Sequence, residues 1–133
     1  MAQMNVSFPG GKRVDAEFNG FTIRTDQSPR GGGEGSAPPP FDLFLASIAT
    51  CAGIYVKGFC DARNIATEGL KLEMEIFPDP VAHRIARLEL RINLPVGFPP
   101  QFKDAVLRSA ELCAVKQHLQ HPPVIDVSAV LAG

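Results

Sequence analysis

Three cysteines are the side chains in this 133-residue sequence whose type and placement suggest redox chemistry. Cys51 and Cys60 lie nine residues apart in one apolar segment, and Cys113 lies in a second helical pattern. In a helix, nine residues place Cys60 on the face opposite Cys51, so we interpret Cys60 as structural. An odd number of cysteines in a chain of this length is not a disulfide framework. It is typical of a reducing compartment, where a thiol is either an inert core residue or redox-active.

Metal and nucleotide sites are not expected. Cys113 and His118 are five residues apart and therefore lie on different helical faces, and no CxxC or HxxxH pair is present. We interpret His118 and His121 as the solvated end of a helix. The run GGGEG lacks both the GxxxxGK[ST] and the GxGxxG patterns of phosphate-binding loops, and no GxSxG motif occurs. We therefore predict no metal and no bound cofactor.

Charge and hydropathy exclude two classes of partner. Thirteen Lys and Arg residues balance 14 Asp and Glu residues, which leaves no basic field for nucleic acid or an anionic membrane. The nearly uncharged stretch Leu43–Val56 is shorter than the roughly 20 residues of a membrane span, so it predicts a core helix of a soluble protein. The N-terminal residues lack the pattern of a secretory signal, and we expect a cytoplasmic protein.

The first half of the chain predicts strands, a loop and a helix. Alternating apolar residues predict short strands within residues 1–25, with a hairpin turn at Asn19-Gly20. Residues 25–40 hold four glycines and four prolines without periodicity, which is typical of a functional lid or a disordered linker. Residues 40–61 predict a long helix that is mostly apolar around its circumference. A sheet can cover one side, and we expect a second copy of the chain to cover the other.

The second half predicts a hairpin, a helical region and a last strand. Two alternating segments within residues 68–94 predict a hairpin whose outer faces carry charges that can pair across the strands. Residues 99–121 predict a second helical region, and a shift in its apolar stripe indicates a bend or a new helix near Cys113. Residues 124–131 alternate again and predict a strand. Together these segments indicate one α+β domain over residues 1–133.

Two phrases in the sequence resemble the OsmC/Ohr superfamily. Residues 40–51, Pro-x-x-Leu-Phe-Leu-Ala-Ser-Ile-Ala-Thr-Cys, resemble the central-helix phrase of that family, and the glycine-rich run precedes them as it does there. Residues 113–119, Cys-x-Val-x-x-x-Leu, followed by a strand, resemble its second cysteine region. The separation of Cys51 and Cys113 by 62 residues also agrees with the family. The similarity extends over about residues 31–131.

The resemblance implies a fold, an assembly and an activity. It implies antiparallel sheets around two long central helices and an intertwined homodimer. It also implies reduction of small organic hydroperoxides by an external dithiol, without metal or flavin, in oxidative-stress defence. By position, Cys51 is then the peroxidatic cysteine and Cys113 the resolving cysteine, and the two form a disulfide.

One position departs from the Ohr-like pattern, in which a Glu ten residues before the first cysteine pairs with an Arg near the thiolate. Phe41 stands there, with Asp42 beside it. Cys51 lies too far into its helix for the N-terminal dipole to stabilise a thiolate, so an active Cys51 needs a nearby cation. Arg13 (or its neighbour Lys12) and Arg30 are the candidates. The chain thus resembles the diverse OsmC-like branch more than Ohr proper.

Two other functions remain open on the sequence alone. The chain could be a binding or redox-sensing module that holds a small apolar or electrophilic ligand, or both cysteines could be inert core residues. Free cysteine is among the most buried residue types, so the structural interpretation is the ordinary one for any single cysteine. A cation beside Cys51 would favour the peroxidase, and an apolar pocket without one would favour the other two.

Overall fold

The computed structural model describes all residues, 1–133, as two compact units, Met1–Ser47 and Ile48–Gly133. The chain contains both helices and antiparallel strands, which confirms the α+β class. The single domain over residues 1–133 stays a prediction. In chain order the elements are β1 (Asn5–Gly10), β2 (Arg13–Phe18), β3 (Phe21–Thr25), α1 (Pro40–Ala62), β4 (Lys71–Pro78), β5 (Ile85–Asn93), α2 (Lys103–Glu111) and α3 (Ala114–Gln120). Single turns of 3₁₀ helix occur at Pro29–Gly31 and Pro100–Phe102.

The strands predicted within residues 1–25 form one antiparallel sheet in the order β1-β2-β3. The predicted turn at Asn19-Gly20 joins β2 to β3, and both residues have positive φ, 51° and 81°. Such a pair of left-handed residues matches the twist of a hairpin. Val6 pairs with Ala16, and Ala16 pairs with Ile23, so apolar side chains share one face of this sheet.

The loop after β3, for which the sequence predicts a functional lid or a disordered linker, is organised by hydrogen bonds. Asp26 is only 1% exposed, and its carboxylate accepts four of the hydrogen bonds that organise the loop. Its Oδ1 accepts from Gln27 N at 2.7 Å, and its Oδ2 accepts from Glu34 N at 3.3 Å and from Ser36 N and Oγ at 3.1 and 2.6 Å. These bonds, led by that from the Ser36 hydroxyl, lower the pKa of Asp26 from 3.8 to about 2.

Helix α1 has the predicted extent and a buried stripe along one side. Ile48, Ala52, Val56 and Cys60 recur every four residues and are buried, whereas other apolar side chains such as Ile54 are exposed in the single chain. By length and composition alone, α1 is long and apolar enough to cross a membrane, a test that core helices of soluble proteins also pass.

Strands β4 and β5 form the predicted hairpin, a separate two-stranded sheet. Its register places Leu72 opposite Ile92 and Met74 opposite Leu90 on one face. On the other face Arg91 reaches across the ladder to Glu73 and Glu75, at 3.5 and 3.4 Å, which confirms the predicted pairing of charges.

The second helical region is divided, as the shift of its apolar stripe predicts. Helix α2 ends at Glu111, and α3 begins at Ala114 after Cys113, which has extended backbone angles (φ −60°, ψ 144°). The second helical region is therefore two short helices in this chain, within the α+β fold that the resemblance implies. The reason is local, because the extended backbone of Cys113 interrupts the helical hydrogen bonds and starts a new set.

The strand predicted over residues 124–131 is absent from the single chain. Residues 122–133 form no strand in the single chain, and the apolar side chains among them are exposed: Val124, Ile125, Val127, Val130 and Leu131. An alternating pattern specifies a face, but a strand forms only against the edge of another strand. No strand of this chain pairs with the segment.

The apolar core lies within the second unit. Val56 and Cys60 of α1 and Val106 of α2 form its centre. Partly buried apolar residues pack around this centre: Phe59, Ile65, Leu70, Ile92, Leu94, Phe98 and Ala110. The core thus joins α1 to α2 and to the apolar face of the β4–β5 hairpin.

Candidate functional site

A cavity of about 340 Å³ within the second unit is bordered by α1, the β4–β5 hairpin, α2 and α3. Its volume falls in the range of small-ligand pockets. Glu111 and Lys116 are its only charged lining residues. The other lining residues are Ile48, Ala52, Leu72, Leu88, Leu90, Ile92, Leu107, Ala110, Cys113 and Leu119. The cavity therefore favours an apolar guest.

Cys113, the predicted resolving cysteine, lines this cavity and is 1% exposed. Its sulfur has a structural role as well, because Sγ accepts a hydrogen bond from the backbone N–H of Lys116 at 3.4 Å. That bond satisfies one of the amide groups that the first turn of α3 leaves free, so Cys113 is the N-cap of α3.

Cys51, the predicted peroxidatic cysteine, is half-buried in the middle of α1. It does not line the cavity, but Ile48 and Ala52, which precede and follow it on the same helical turn, do. The structure thus brings the α1 turn that carries Cys51 to the cavity that Cys113 lines. All three cysteines are free thiols.

Cys60 has the structural role predicted for it. It is buried in the centre of the core, next to Val56 and Val106. Burial raises the pKa of the Cys60 thiol, and the neighbouring Asp61 carboxylate adds to that rise. Because the thiolate is the nucleophile, Cys60 is a poor candidate for attack on a peroxide.

The two candidate cations belong to the first unit. Arg13 begins β2, and its Nε donates to the carbonyl oxygen of Gly10 at 3.3 Å. Arg30 lies in the exposed 3₁₀ turn Pro29–Gly31. Phe41, which stands at the departure from the Ohr-like pattern, stacks on Phe44 with ring centroids 5.5 Å apart. The assignment of Arg13 or Arg30 to Cys51 stays a prediction.

The histidines are not grouped with other side chains that could bind a metal ion. His118 Nδ1 lies 2.7 Å from the carbonyl oxygen of Ala114, which can only accept, so this nitrogen donates within α3. No group of three or more His, Cys, Asp and Glu side chains is arranged to hold a metal ion. The absence of a cofactor stays a prediction.

Three residues of interest escaped the sequence analysis. Asp26 organises the loop, and its signal was available, because an Asp after a strand and before Ser and Gly residues is typical of turns in which the carboxylate binds backbone amides. Glu111 and Lys116 give the cavity its charge. No local signal identifies them, since the cavity is formed by segments distant in sequence.

Comparison with known proteins identifies the class. A sequence model described as OsmC-like protein matches residues 33–128, and the chain therefore belongs to the OsmC-like family. No curated protein matches the chain.

Solved structures share the fold at low sequence identity. An osmotic stress induced and detoxification response protein from Psychrobacter arcticus 273-4 is 21% identical, with a TM-score of 0.73 over 88% of this chain and 87% of that one. An OsmC-like protein from Mycoplasma pneumoniae is 13% identical, with a TM-score of 0.71 over 92% and 89%. The organic hydroperoxide resistance protein OsmC from Legionella pneumophila is 20% identical, with a TM-score of 0.57 over 90% and 89%. At these identities the similarity shows the fold alone.

Proposed function

We propose that this protein is a thiol-dependent peroxidase that reduces organic hydroperoxides through Cys51 and Cys113. The observation that carries the proposal is the shared border of one apolar cavity, formed by Cys113 and by the α1 turn on which Cys51 lies. Membership of the OsmC-like family supports it, since relatives of this fold include a protein described by its hydroperoxide resistance.

The chemistry needs three steps and no bound cofactor. The Cys51 thiolate attacks the distal peroxide oxygen, the O–O bond breaks, and the alkoxide takes a proton to leave as the alcohol. Cys51 becomes a sulfenic acid. The Cys113 thiol then displaces water from that sulfenic acid, which forms the disulfide, and an external dithiol returns both cysteines to thiols by exchange. The apolar lining favours alkyl hydroperoxides over hydrogen peroxide.

A homodimer in the cytoplasm is part of the proposal. Exposed apolar side chains along α1, among them Phe41, Phe44 and Ile54, need a cover that a second copy can supply. We take α1 to be a core helix and not a membrane span, because its buried stripe packs in the second unit's core. Sedimentation at micromolar concentration should give a dimer, and a stable monomer would contradict this part.

Cysteine variants test the chemistry with a control within the chain. In an assay with cumene hydroperoxide and a dithiol, Cys51→Ser should abolish peroxide consumption. Cys113→Ser should allow one turnover and leave a sulfenic acid at Cys51 that dimedone traps. Cys60→Ser should keep the wild-type rate because Cys60 takes no part. If the wild-type protein consumes no hydroperoxide with any dithiol, the proposal fails.

Two arginine variants made in parallel identify the cation. We expect either Arg13→Gln or Arg30→Gln to slow the first step by about 100-fold, the usual loss when one stabilising charge or donor is removed. The other variant is then its matched control. If both variants keep the wild-type rate of the first step, neither arginine is the activating cation.

A non-enzymatic binding module is the second candidate. The observation that favours it is that the cavity is lined by Cys113 but not by Cys51. An apolar fluorescent probe that binds the wild type and Cys51→Ser equally, in a protein without peroxidase activity, would support the module.

A further inference from the structure

We propose that the Cys113 thiol is also a redox-sensitive latch on α3, so that forming the disulfide loosens the wall of the cavity. This inference rests on the proposed function for its oxidant, but the capping role of the sulfur stands on the structure alone. Cys113 Sγ accepts a hydrogen bond from Lys116 N, and the backbone of Cys113 is extended between the end of α2 and the start of α3.

The latch holds a short and weakly supported element. Helix α3 has seven residues, none of them buried, and its other terminus leads into the exposed segment 122–133. Isolated helices of this length are unstable in water, so α3 depends on its packing at the cavity and on contacts at its ends such as this cap. The Cys113 sulfur is the one side chain that satisfies an amide of this turn.

The same element forms part of the cavity. Lys116 and Leu119 of α3 line it together with Cys113. A change at the sulfur therefore acts on two of the residues that enclose a bound molecule. The coupling is local, because the capped amide belongs to Lys116 itself.

Disulfide formation changes the sulfur in two ways. Cys113 loses its thiol proton as Cys51 sulfenic acid loses its hydroxyl, water leaves, and an S–S bond forms. The bond fixes the direction of the sulfur, since the Cβ–S–S–Cβ dihedral must lie near 90°. The sulfur is then no longer free to turn toward Lys116 N. We infer that the reduced enzyme keeps α3 closed over the cavity, and that the oxidised enzyme releases it and with it the alcohol product.

Two substitutions separate the latch from the peroxidase chemistry. Cys113→Ser keeps an acceptor at the N-cap, and serine is among the preferred capping residues, whereas Cys113→Ala has no acceptor. Both variants lack the resolving thiol, so they are equal in catalysis and differ in the cap. In hydrogen-exchange mass spectrometry of the full-length reduced proteins, peptides covering residues 114–120 should exchange about fivefold faster in Cys113→Ala than in Cys113→Ser.

The α2 segment is the internal control. Peptides covering residues 103–111 should exchange equally in both variants, which shows that the fold is intact. Equal exchange at residues 114–120 in the two variants would overturn the latch, whatever the enzyme does with peroxide.

The coupling between disulfide formation and α3 is tested on the wild-type protein. One equivalent of cumene hydroperoxide, or diamide as an independent oxidant, should lower the intact mass by two hydrogens and accelerate exchange at residues 114–120. A disulfide without faster exchange overturns the coupling while leaving the peroxidase proposal in place. If neither oxidant links Cys51 to Cys113, the coupling and the proposed disulfide fail together, whereas the Cys113→Ala and Cys113→Ser pair still decides the cap.

Discussion

The two units of this protein are stabilised by different interactions. The second unit contains the buried apolar side chains of the chain: Ile48, Ala52, Val56, Cys60, Val106 and Cys113. In the first unit, Thr25 and Asp26 are the buried residues, and the apolar side chains Phe8 and Phe21 of its sheet are exposed. The first unit therefore depends on hydrogen bonds, those of its sheet and those around the Asp26 carboxylate, while the second depends on burial of apolar surface. The two units should therefore lose stability in response to different substitutions and different changes of pH.

The largest loss of stability is expected when a methyl group is added at Gly33 in the first unit. A Cβ on residue 33 would lie 2.2 Å from Gln27 O and 2.6 Å from Asp26 Oδ1, and the first of these atoms is backbone that cannot turn aside. Gly33→Ala should therefore cost about 3 kcal/mol in unfolding free energy, the upper end for overpacking. Urea denaturation and limited proteolysis of residues 26–39 would measure it.

Gly31→Ala is the matched control in the same loop. Its Cβ would meet Gln27 Cβ and Ser28 Oγ at 3.5 Å, an ordinary contact distance. We expect a change within about 1 kcal/mol, since Gly→Ala at a compatible position is neutral or mildly stabilising. A Gly33→Ala protein as stable as Gly31→Ala would show that the loop is not held as described.

The second-largest loss of stability is expected from a substitution in the core of the second unit. Val106 is 0% exposed and lies at the centre of its core, whereas Val81 in the β4–β5 connection is 84% exposed. Val106→Ala should lower the free energy of unfolding by about 2 kcal/mol through lost burial and a residual cavity. Val81→Ala should change it by less than about 0.5 kcal/mol. Similar values for the two would mean that the core does not dominate this unit.

The smallest expected effect is a loss of stability at low pH, which comes from Asp26 in the first unit. Because its folded-state pKa is about 2 instead of 3.8, ionised Asp26 stabilises the loop above pH about 4, and this contribution is lost as the pH falls through about 2. Asp26→Asn should have a lower melting temperature than the wild type at pH 5. Near pH 2 the two curves should converge.

Another carboxylate, Asp79, also contributes to the pH dependence of stability. Melting curves of the wild type and Asp26→Asn at several pH values separate the two contributions. Backbone amides of Ala82 and Val81 also lower the pKa of Asp79, in the second unit. Asp26→Asn keeps this contribution, so its melting temperature should still fall with acid, but less steeply than that of the wild type. Parallel curves for the two proteins would contradict the role given to Asp26.

Local patterns in the sequence predicted the elements that depend on local interactions. Asn19-Gly20 specified its turn, alternation specified β4 and β5, and the shifted stripe specified the break at Cys113. The segment 124–131 failed because its alternation is local but a strand needs a distant edge. The cavity could not be predicted, because Leu72, Leu107 and Lys116 meet only after the chain has folded. The catalytic roles of Cys51 and Cys113 came from family resemblance, and these roles and the disulfide stay predictions.

The β4–β5 hairpin has a consequence for the order of folding. Its strands are joined by only residues 79–84, and Asp79 Oδ1 binds the amides of Val81 and Ala82 within that connection. Hairpins of this kind form within about 1–10 μs, whereas Val56 and Val106 must meet across fifty residues of chain. We expect the hairpin to close first and to present Ile92, with Leu70 just before β4, as a surface on which α1 and α2 pack. Substitutions in its turn should then slow refolding, while Val106→Ala should mainly speed unfolding.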